Sequence, residues 1–451
     1  MNQLSQICTF WALIFLPISP VLAEKIGSNQ SDLLTGNMID QQTSEQEWGD
    51  NWDDSWEEDK DWQIIQKLSY SYAYLTHSNS ANLADNILNE ARYSFKFDYD
   101  SNSFKFYSHA DIVVDELRKS NEFSWYELNF QYTLTEQVDF KIGRQIITWG
   151  TGDLLFLNDL FPKDWQSFFN GRENQYLKLP VDAIRLSYFG QSVNIELAYL
   201  PEFTADNSLT GETFSFYLPS QTSGAPQIRQ PEVPLIFQSK KSDELIGRVY
   251  KTIDGIEWSG YFYDGYFKSP SKITPNNIPG YSKMQSLGAS ARLPLLNGLF
   301  NIETSYYHSK EDSSGRNPLV DNSQLKLLVG YEKEIYKNIT LSTQVMMEQI
   351  LQFERFIAHQ PESNTNLQER KITLTARLTQ MALQQKLTNT LMLFYSPDEE
   401  DYYIRFGHHY RYSDQLTLSG GGNILGGKSE QSFFGQLRDN SNLYLRFEYH
   451  F

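Results

Sequence analysis

The residues of this 451-residue chain that are able to do chemistry are charged side chains set at every second position. ITLTARL around Arg377 and YIRFGHH around Arg405 hold a base among apolar neighbours, and SFKFYSHADIVV alternates Lys105, Tyr107, His109 and Asp111 with Phe104, Phe106, Ala110 and Ile112. Alternation puts Lys67, Arg92, Lys96, Lys105, Lys141, Arg185, Arg248, Arg292, Lys326, Lys371, Arg377, Arg405, Arg411 and Arg446 on one face. Asp98, Asp111, Glu127, Asp139, Glu196, Glu257, Glu303, Glu332, Glu348 and Glu448 share it. Such charges act through fields and hydrogen bonds: rings of Lys and Arg favour anions, rings of Asp and Glu cations. The bases outnumber the acids slightly. Arg185, Arg377 and Arg405, with Lys141, Arg248 and Lys371, are the candidates for an anion-favouring wall; the alternative is that the charges pair across neighbouring strands and fill a wet interior.

Bond-making sets are missing from the sequence. There is no Gly-x-Ser-x-Gly elbow, no His-Glu-x-x-His and no Gly-rich phosphate loop, and the run Gly420-Gly421-Gly422 lacks the Lys-Ser/Thr of a phosphate cradle. The acids of DDSWEED lack the twelve-residue calcium-loop spacing. The chain reads as no enzyme, with no cofactor, no metal site and no catalytic residues. Its net charge of −18 argues against a nucleic-acid partner, since phosphate binding runs on Lys and Arg.

The elements that must position these charges follow from the same period of two. A segment with one apolar and one polar face is a strand, and ten-residue segments of this type separated by turns are the pattern of a transmembrane β-barrel. The alternation predicts strands over 66–76, 90–98, 103–113, 122–133, 137–148, 181–189, 192–200, 245–254, 256–267, 283–294, 299–308, 322–332, 337–349, 368–380, 385–395, 401–411, 414–424 and 441–451. Every second connection is short, and Asp254-Gly255 and Asn297-Gly298 are hairpin-turn dipeptides. The other connections are mostly long. The expected fold is all-β: a transmembrane antiparallel barrel of about eighteen strands with short periplasmic turns and long external loops. A mean hydropathy of −0.50 hides a membrane protein, because only alternate residues meet lipid. The 66 aromatics fit that surface, since Tyr and Trp favour the two interfaces.

Three regions divide the chain. Residues 1–23 read as a signal peptide, an apolar run ending in Val21 and Ala23. The only cysteine, Cys8, lies inside it, so the mature chain has no thiol. Residues 24–65 form an acidic tail with Trp48, Trp52 and Trp56 at spacing four, either solvated in the periplasm or docked through its tryptophans; a periplasmic partner for the 45–62 segment is one expectation. Residues 66–451 form the barrel. Within it, the connection WGTGDLLFLNDLFPKDWQSFFNGRENQYLKLP is too apolar for an exposed loop. It folds into the barrel mouth, either as a constriction lined by Asp153, Asp159, Lys163, Asp164, Arg172, Glu173 and Lys178, or as an apolar clamp or subunit contact. The 201–244 connection, with five prolines, reads as irregular and surface-exposed. Simple alternation turns Arg144 toward lipid, so either Gly143 marks a bulge that turns it inward or Arg144 lies at the outer rim.

The strands, the loop asymmetry and a final Phe451 preceded by alternate apolar residues resemble Gram-negative outer-membrane porin-type barrels. GRQIITWGTGD, residues 143–153, resembles the strand-to-loop motif of alginate-export-type and related porin-like families. The resemblance implies the outer membrane as location, its lipid as surroundings, and recognition of Phe451 by the outer-membrane assembly machinery. It implies a channel for passive or substrate-guided diffusion of small polar, anionic included, solutes. The alternatives are a plugged structural or partner-binding barrel, or an exporter of an anionic polysaccharide.

Overall fold

A computed structural model describes residues 61–77, 84–218, 227–231, 235–237, 241–274, 278–359 and 368–451. The expected signal peptide and all but the end of the expected acidic tail lie outside them. Eighteen strands form one antiparallel sheet: β1 Trp62–Leu75, β2 Asn86–Asp100, β3 Phe104–Asp115, β4 Ser120–Thr135, β5 Val138–Gln145, β6 Val181–Phe189, β7 Asn194–Leu200, β8 Glu244–Ile253, β9 Ile256–Tyr266, β10 Lys283–Leu295, β11 Gly298–Ser309, β12 Gln324–Tyr336, β13 Ile339–Ile350, β14 Arg370–Ala382, β15 Leu387–Ser396, β16 Asp401–Arg411, β17 Leu416–Gly427 and β18 Asn442–His450. Each strand pairs with its neighbour in sequence, and β18 pairs with β1 from Lys67↔His450 to Leu75↔Asn442, which closes the barrel. All eighteen expected strands are present. The first begins earlier than expected, so Trp62–Ile65 belong to the barrel and not to the tail.

Alternation sets the two faces. In β1, Lys67, Ser69, Ser71 and Ala73 are buried inside while Leu68, Tyr70 and Tyr74 are exposed outside. Ile112, Phe130, Leu186, Leu197, Trp258 and Leu393 continue the outer apolar surface on other strands. A closed sheet with an apolar outside and a polar inside satisfies the backbone within itself and suits a bilayer. In β4 the pairing shifts at Tyr126 and again at Leu134. Trp125 pairs with Ala110 but Glu127 with His109, so Tyr126 is an extra residue and the exposed row passes from Phe123 and Trp125 to Leu128 and Phe130. This bulge turns Tyr126 and Glu127 away from lipid.

Arg144 settles at the rim. Pairing of β5 with β6 runs without a shift through Gly143, and Arg144 at the outer end of β5 donates from Nε and Nη2 to Asp182 at 2.9 Å each. Gly143 is required for another reason: its φ is +119°, and a Cβ there would lie 2.3 Å from the Leu128 carbonyl oxygen.

Asp254 and Gly255 both have positive φ, as a two-residue hairpin turn requires. The next such turn is displaced from the expected Asn297-Gly298. Leu295 pairs with Gly298, so the turn residues are Leu296 at φ 50° and Asn297 at φ 59°. A left-handed Leu is strained by about 1–2 kcal/mol, which Asn tolerates through its own backbone hydrogen bonding. Leu296→Asn is therefore expected to stabilise the barrel by about 1 kcal/mol in denaturant unfolding from lipid vesicles; no shift or a loss would show that Leu296 is instead held by lipid.

Candidate functional site

The connection 146–180 turns into the barrel and is fixed to the wall around most of its circumference. Its first half is held by neutral groups, by the carboxylates of Glu127 and Glu303, and by the ion pair of Asp153 with Arg377. Glu303 on β11 accepts from the backbone N–H of Thr151, of Gly152 at 2.7 Å and from Asn158 Nδ2 at 2.9 Å. Asn301 Nδ2 donates to the Thr151 carbonyl at 3.0 Å, Gln344 Oε1 on β13 accepts from Leu154 N–H at 3.1 Å, and Tyr307 OH donates to the Leu157 carbonyl at 2.5 Å. Ile147, Trp149 and Phe161 pack on inward residues of β6 to β11, among them Ala198, Ile246 and Tyr263.

The second half carries a short helix, α1 Trp165–Asn170. Asp164 caps it by accepting from Ser167 N–H at 2.8 Å, and Gly171 ends it at φ +82°. That glycine is doubly fixed, because a Cβ would stand 2.3 Å from the Tyr444 ring on β18. Phe168 and Phe169 each meet Tyr403 on β16 edge-on at 5.4 Å. Such pairs add about 0.5–1.5 kcal/mol each beyond burial. Tyr403 OH donates to the Phe168 carbonyl at 3.2 Å and Asn442 Nδ2 to the Phe169 carbonyl at 3.0 Å. On the near wall, the Tyr126 hydroxyl freed by the β4 bulge reaches the carbonyls of Gln175 at 2.9 Å and Lys178 at 2.6 Å.

Ion pairs complete the attachment. Arg172 forks onto Glu90 of β2, Nε to Oε1 at 3.0 Å and Nη2 to Oε2 at 2.6 Å. Arg92 bridges Glu90 at 3.1 Å and Asp111 at 2.8 Å, and buried Asp111 also accepts from Ser94 at 2.6 Å and contacts His109 at 3.1 Å. Lys67 holds Glu173 at 2.8 Å. Removing one member of a buried pair strands its partner, typically at a cost of about 3–5 kcal/mol.

The residues singled out as a loop lining therefore have different places. Asp153 reaches out from the loop to Arg377 on β14 at 3.0 Å. Arg172 and Glu173 fasten the loop to β1 and β2. Asp159, Lys163 and Asp164 are buried in protein and line no water: Lys163 Nζ donates to the Phe161 carbonyl at 2.8 Å and meets Asp159 at 3.2 Å, while Asp164 is the helix cap. The 201–244 connection is also more than surface. Phe214 and Phe216 are buried against the same cluster as Phe168 and Phe169, and Asp206 accepts from Lys163 N–H at 2.9 Å and Trp165 Nε1 at 3.0 Å. Its described part around Asp206, Phe214 and Phe216 covers the inward loop.

On the wall, Arg248 pairs with Glu257 at 2.7 Å, Lys371 with Glu399 at 3.0 Å, and Arg377 with Glu332 at 3.5 Å besides Asp153. Lys141 and Arg185 stand directly opposite each other on β5 and β6, and neither has an ion-pair partner among the described residues. Arg405 is buried between the rings of Phe168 and Tyr444 at 6.0 and 5.8 Å. Five further acids share the inner face: Glu90, Asp100, Asp115, Glu244 and Asp401. They lie at strand ends beyond the expected boundaries or, as with Glu90, at the first position of an expected strand, in phase with Arg92. They offset the small basic excess expected from sequence, so the wall carries unpaired bases only locally.

Two outcomes follow. Glu303→Gln leaves one accepting oxygen and turns an amide N–H₂ toward donors, so the first half of the loop loosens; protease cutting within 148–160 in vesicles is expected to rise roughly tenfold, as loss of about 1.5 kcal/mol implies. Burial alone would raise the Glu173 carboxyl, but the charges of Lys67 and Arg446 outweigh it and hold the group down to about 2. The attachment is then complete above the ordinary value of 4.5 and is lost as pH falls through about 2. Cutting after Arg172 is expected to stay flat down to about pH 4 with an acid-active protease and to rise below it; a rise already at pH 6 would contradict the ion pair.

No family model and no curated protein matches the sequence. Solved structures do. A BenF-like porin from Pseudomonas fluorescens Pf-5 aligns with a TM-score of 0.53 at 10% identity, covering 87% of this chain and 98% of that one. Pseudomonas aeruginosa OccK3 (OpdO) aligns at 0.52 and 7% identity over 87% and 96%, and Acinetobacter baumannii OccAB3 at 0.51 and 11% over 87% and 99%. The chain thus has the closed eighteen-strand fold of the outer-membrane porins.

Proposed function

We propose that this chain is a channel of a Gram-negative outer membrane through which small polar solutes pass, with a local preference for anions. The observation that carries the reading is the inward loop: a closed barrel with an apolar outside holds a charged inside, and the 146–180 connection narrows it. Asp153 with Arg377, and Arg172 with Glu173, are the polar groups of that narrowing; Arg185, Lys141, Arg248, Lys371 and Arg405 belong to the wall. The anion preference is assigned to Lys141 and Arg185, two facing bases with no ion-pair partner within 4 Å among the described residues, because paired charges present little net field. Phe451 is the expected contact of the assembly machinery, and the 45–62 segment that of a periplasmic partner.

A second reading, a plugged barrel with a structural or binding role, is favoured by one feature. A single apolar cluster runs from Leu75 and Ile87 on β1 and β2 through Leu155, Phe168 and Phe214 in the loops to Leu328 on β12. Conductance in planar bilayers separates the two. The channel reading expects discrete open steps from the purified protein; silence that persists when residues 154–169 are deleted removes it, and steps that appear only on deletion favour the plug. In a KCl gradient the wild type is expected to be anion-selective. A unit charge about 10 Å away in water is worth ~0.4 kcal/mol, so Lys141→Ala and Arg185→Ala should each lower the anion-to-cation ratio about twofold. A cation-selective wild type would sink the anion assignment and leave the channel standing.

A further inference from the structure

Two histidines stand on the inner face between the inward loop and the periplasmic mouth. His409 on β16 is in phase with inward Tyr403 and Arg405, and His450 ends β18 in phase with inward Tyr444, Arg446 and Glu448. Both lie nearer the periplasm than Tyr403 and Asn442, which hold the loop, and both are half-buried. They differ from His109, the inward histidine of β3, which is 1% exposed and held by Asp111 at 3.1 Å. His409 Nδ1 lies 2.9 Å from Ser419 Oγ, and His450 sits opposite Lys67 on β1. Neither makes an ion pair among the described residues, so each keeps a ring able to take a proton from the water of the mouth.

The charged groups around this pair come close to cancelling. Lys67 is held by Glu173 of the loop at 2.8 Å and reaches Glu448 at 3.4 Å, and Arg446 Nε meets Glu448 at 3.2 Å. Lys96 of β2 also faces His450, and Glu127 of β4 faces Lys96. On the other side, Arg411 donates its backbone N–H to Lys386, which sets these two bases opposite each other at the inner rim of β15 and β16. Asp414 stands in the exposed turn between β16 and β17. Lys67, Lys96, Lys386, Arg411 and Arg446 thus stand against Glu127, Glu173, Glu448 and Asp414, a net of +1. Thr388 and Ser419, the inward neighbours of His409 on β15 and β17, carry no charge. Two protons on the histidines raise the quarter from +1 to +3. Histidine ordinarily takes its proton near pH 6.5.

We propose that the inner wall from β15 round to β1 is an acid-dependent anion site at the periplasmic mouth, switched on by protonation of His409 and His450. Anion binding is strong below the range in which the histidines titrate and fades as pH rises through it. The site stands whether or not the barrel conducts. The test is binding of pyrenetetrasulfonate, whose charge is constant over this range, to the full barrel in neutral detergent at low salt, read by fluorescence anisotropy. For the wild type, binding is expected to tighten about tenfold from pH 7.5 to pH 5.0, as two added charges about 10 Å from a screened tetra-anion imply. His409→Gln/His450→Gln, shown to be folded by its heat-modifiable gel mobility, should match the wild type at pH 7.5 and tighten less than twofold. Lys386→Ala should weaken binding about threefold at both pH values and keep the tightening. His308→Gln, on the outer face at the other end of β11, should behave as the wild type. Tightening that is absent from the wild type overturns the proposal. So does tightening that persists in the double variant, because carboxylates losing their charge would then be its source.

Discussion

Every backbone N–H and C=O that crosses the bilayer must find its partner inside the protein, and the pairing of β18 with β1 is where this chain meets that demand. The rest follows from closure. Once no edge remains, each strand has one face toward lipid and one toward the lumen, and the side-chain period of two becomes a sorting of apolar from charged. Closure also gives the 146–180 connection an inside to enter. Its apolar residues, which water would reject, find inward Ala, Leu, Phe and Tyr positions on strands from both sides of the seam.

The interior is a balance between two ways of holding a loop. On the β11–β13 side the attachment is made by one carboxylate gathering N–H groups, with amide and phenol hydrogen bonds beside it. On the β1–β2 side it is made by charged pairs, Arg172 with Glu90 and Lys67 with Glu173. Buried pairs contribute little net stability but punish the loss of either partner, which fixes position more than it adds affinity. Most wall charges are consumed in this way, and this is why a residue count says little about selectivity. What remains without an ion pair on the wall is small, and Lys141 with Arg185 is part of it.

Fold and site were unequally legible in the sequence. The eighteen strands could be read because lipid and water impose the period of two locally, on residues next to one another. The bulge at Tyr126 left a trace, a phase break between Trp125 and Leu128. The left-handed Leu296 left none, because strand pairing placed that turn and not the turn residue. The inward direction of the loop was written in its apolar composition, but its partners were not. Glu303, Tyr403 and Asn442 are separated from it by 151, 235 and 273 residues, and only closure brings them together. For the same reason Asp159, Lys163 and Asp164 looked like a lining: their charge is visible in the chain and their burial is not.

Those separations carry a consequence for time. The strands flanking the loop, β5 and β6, are made early in the chain, yet the residues that seat Phe169 and crowd Gly171 are on β16 and β18, close to the end of the barrel. The loop cannot reach its final place until the C-terminal hairpin has arrived and the cylinder has shut. Docking of the inward loop is thus the closing act of assembly, and a barrel stalled before its last strand pairs would leave Phe169 without its Asn442 hydrogen bond and Gly171 without the Tyr444 ring.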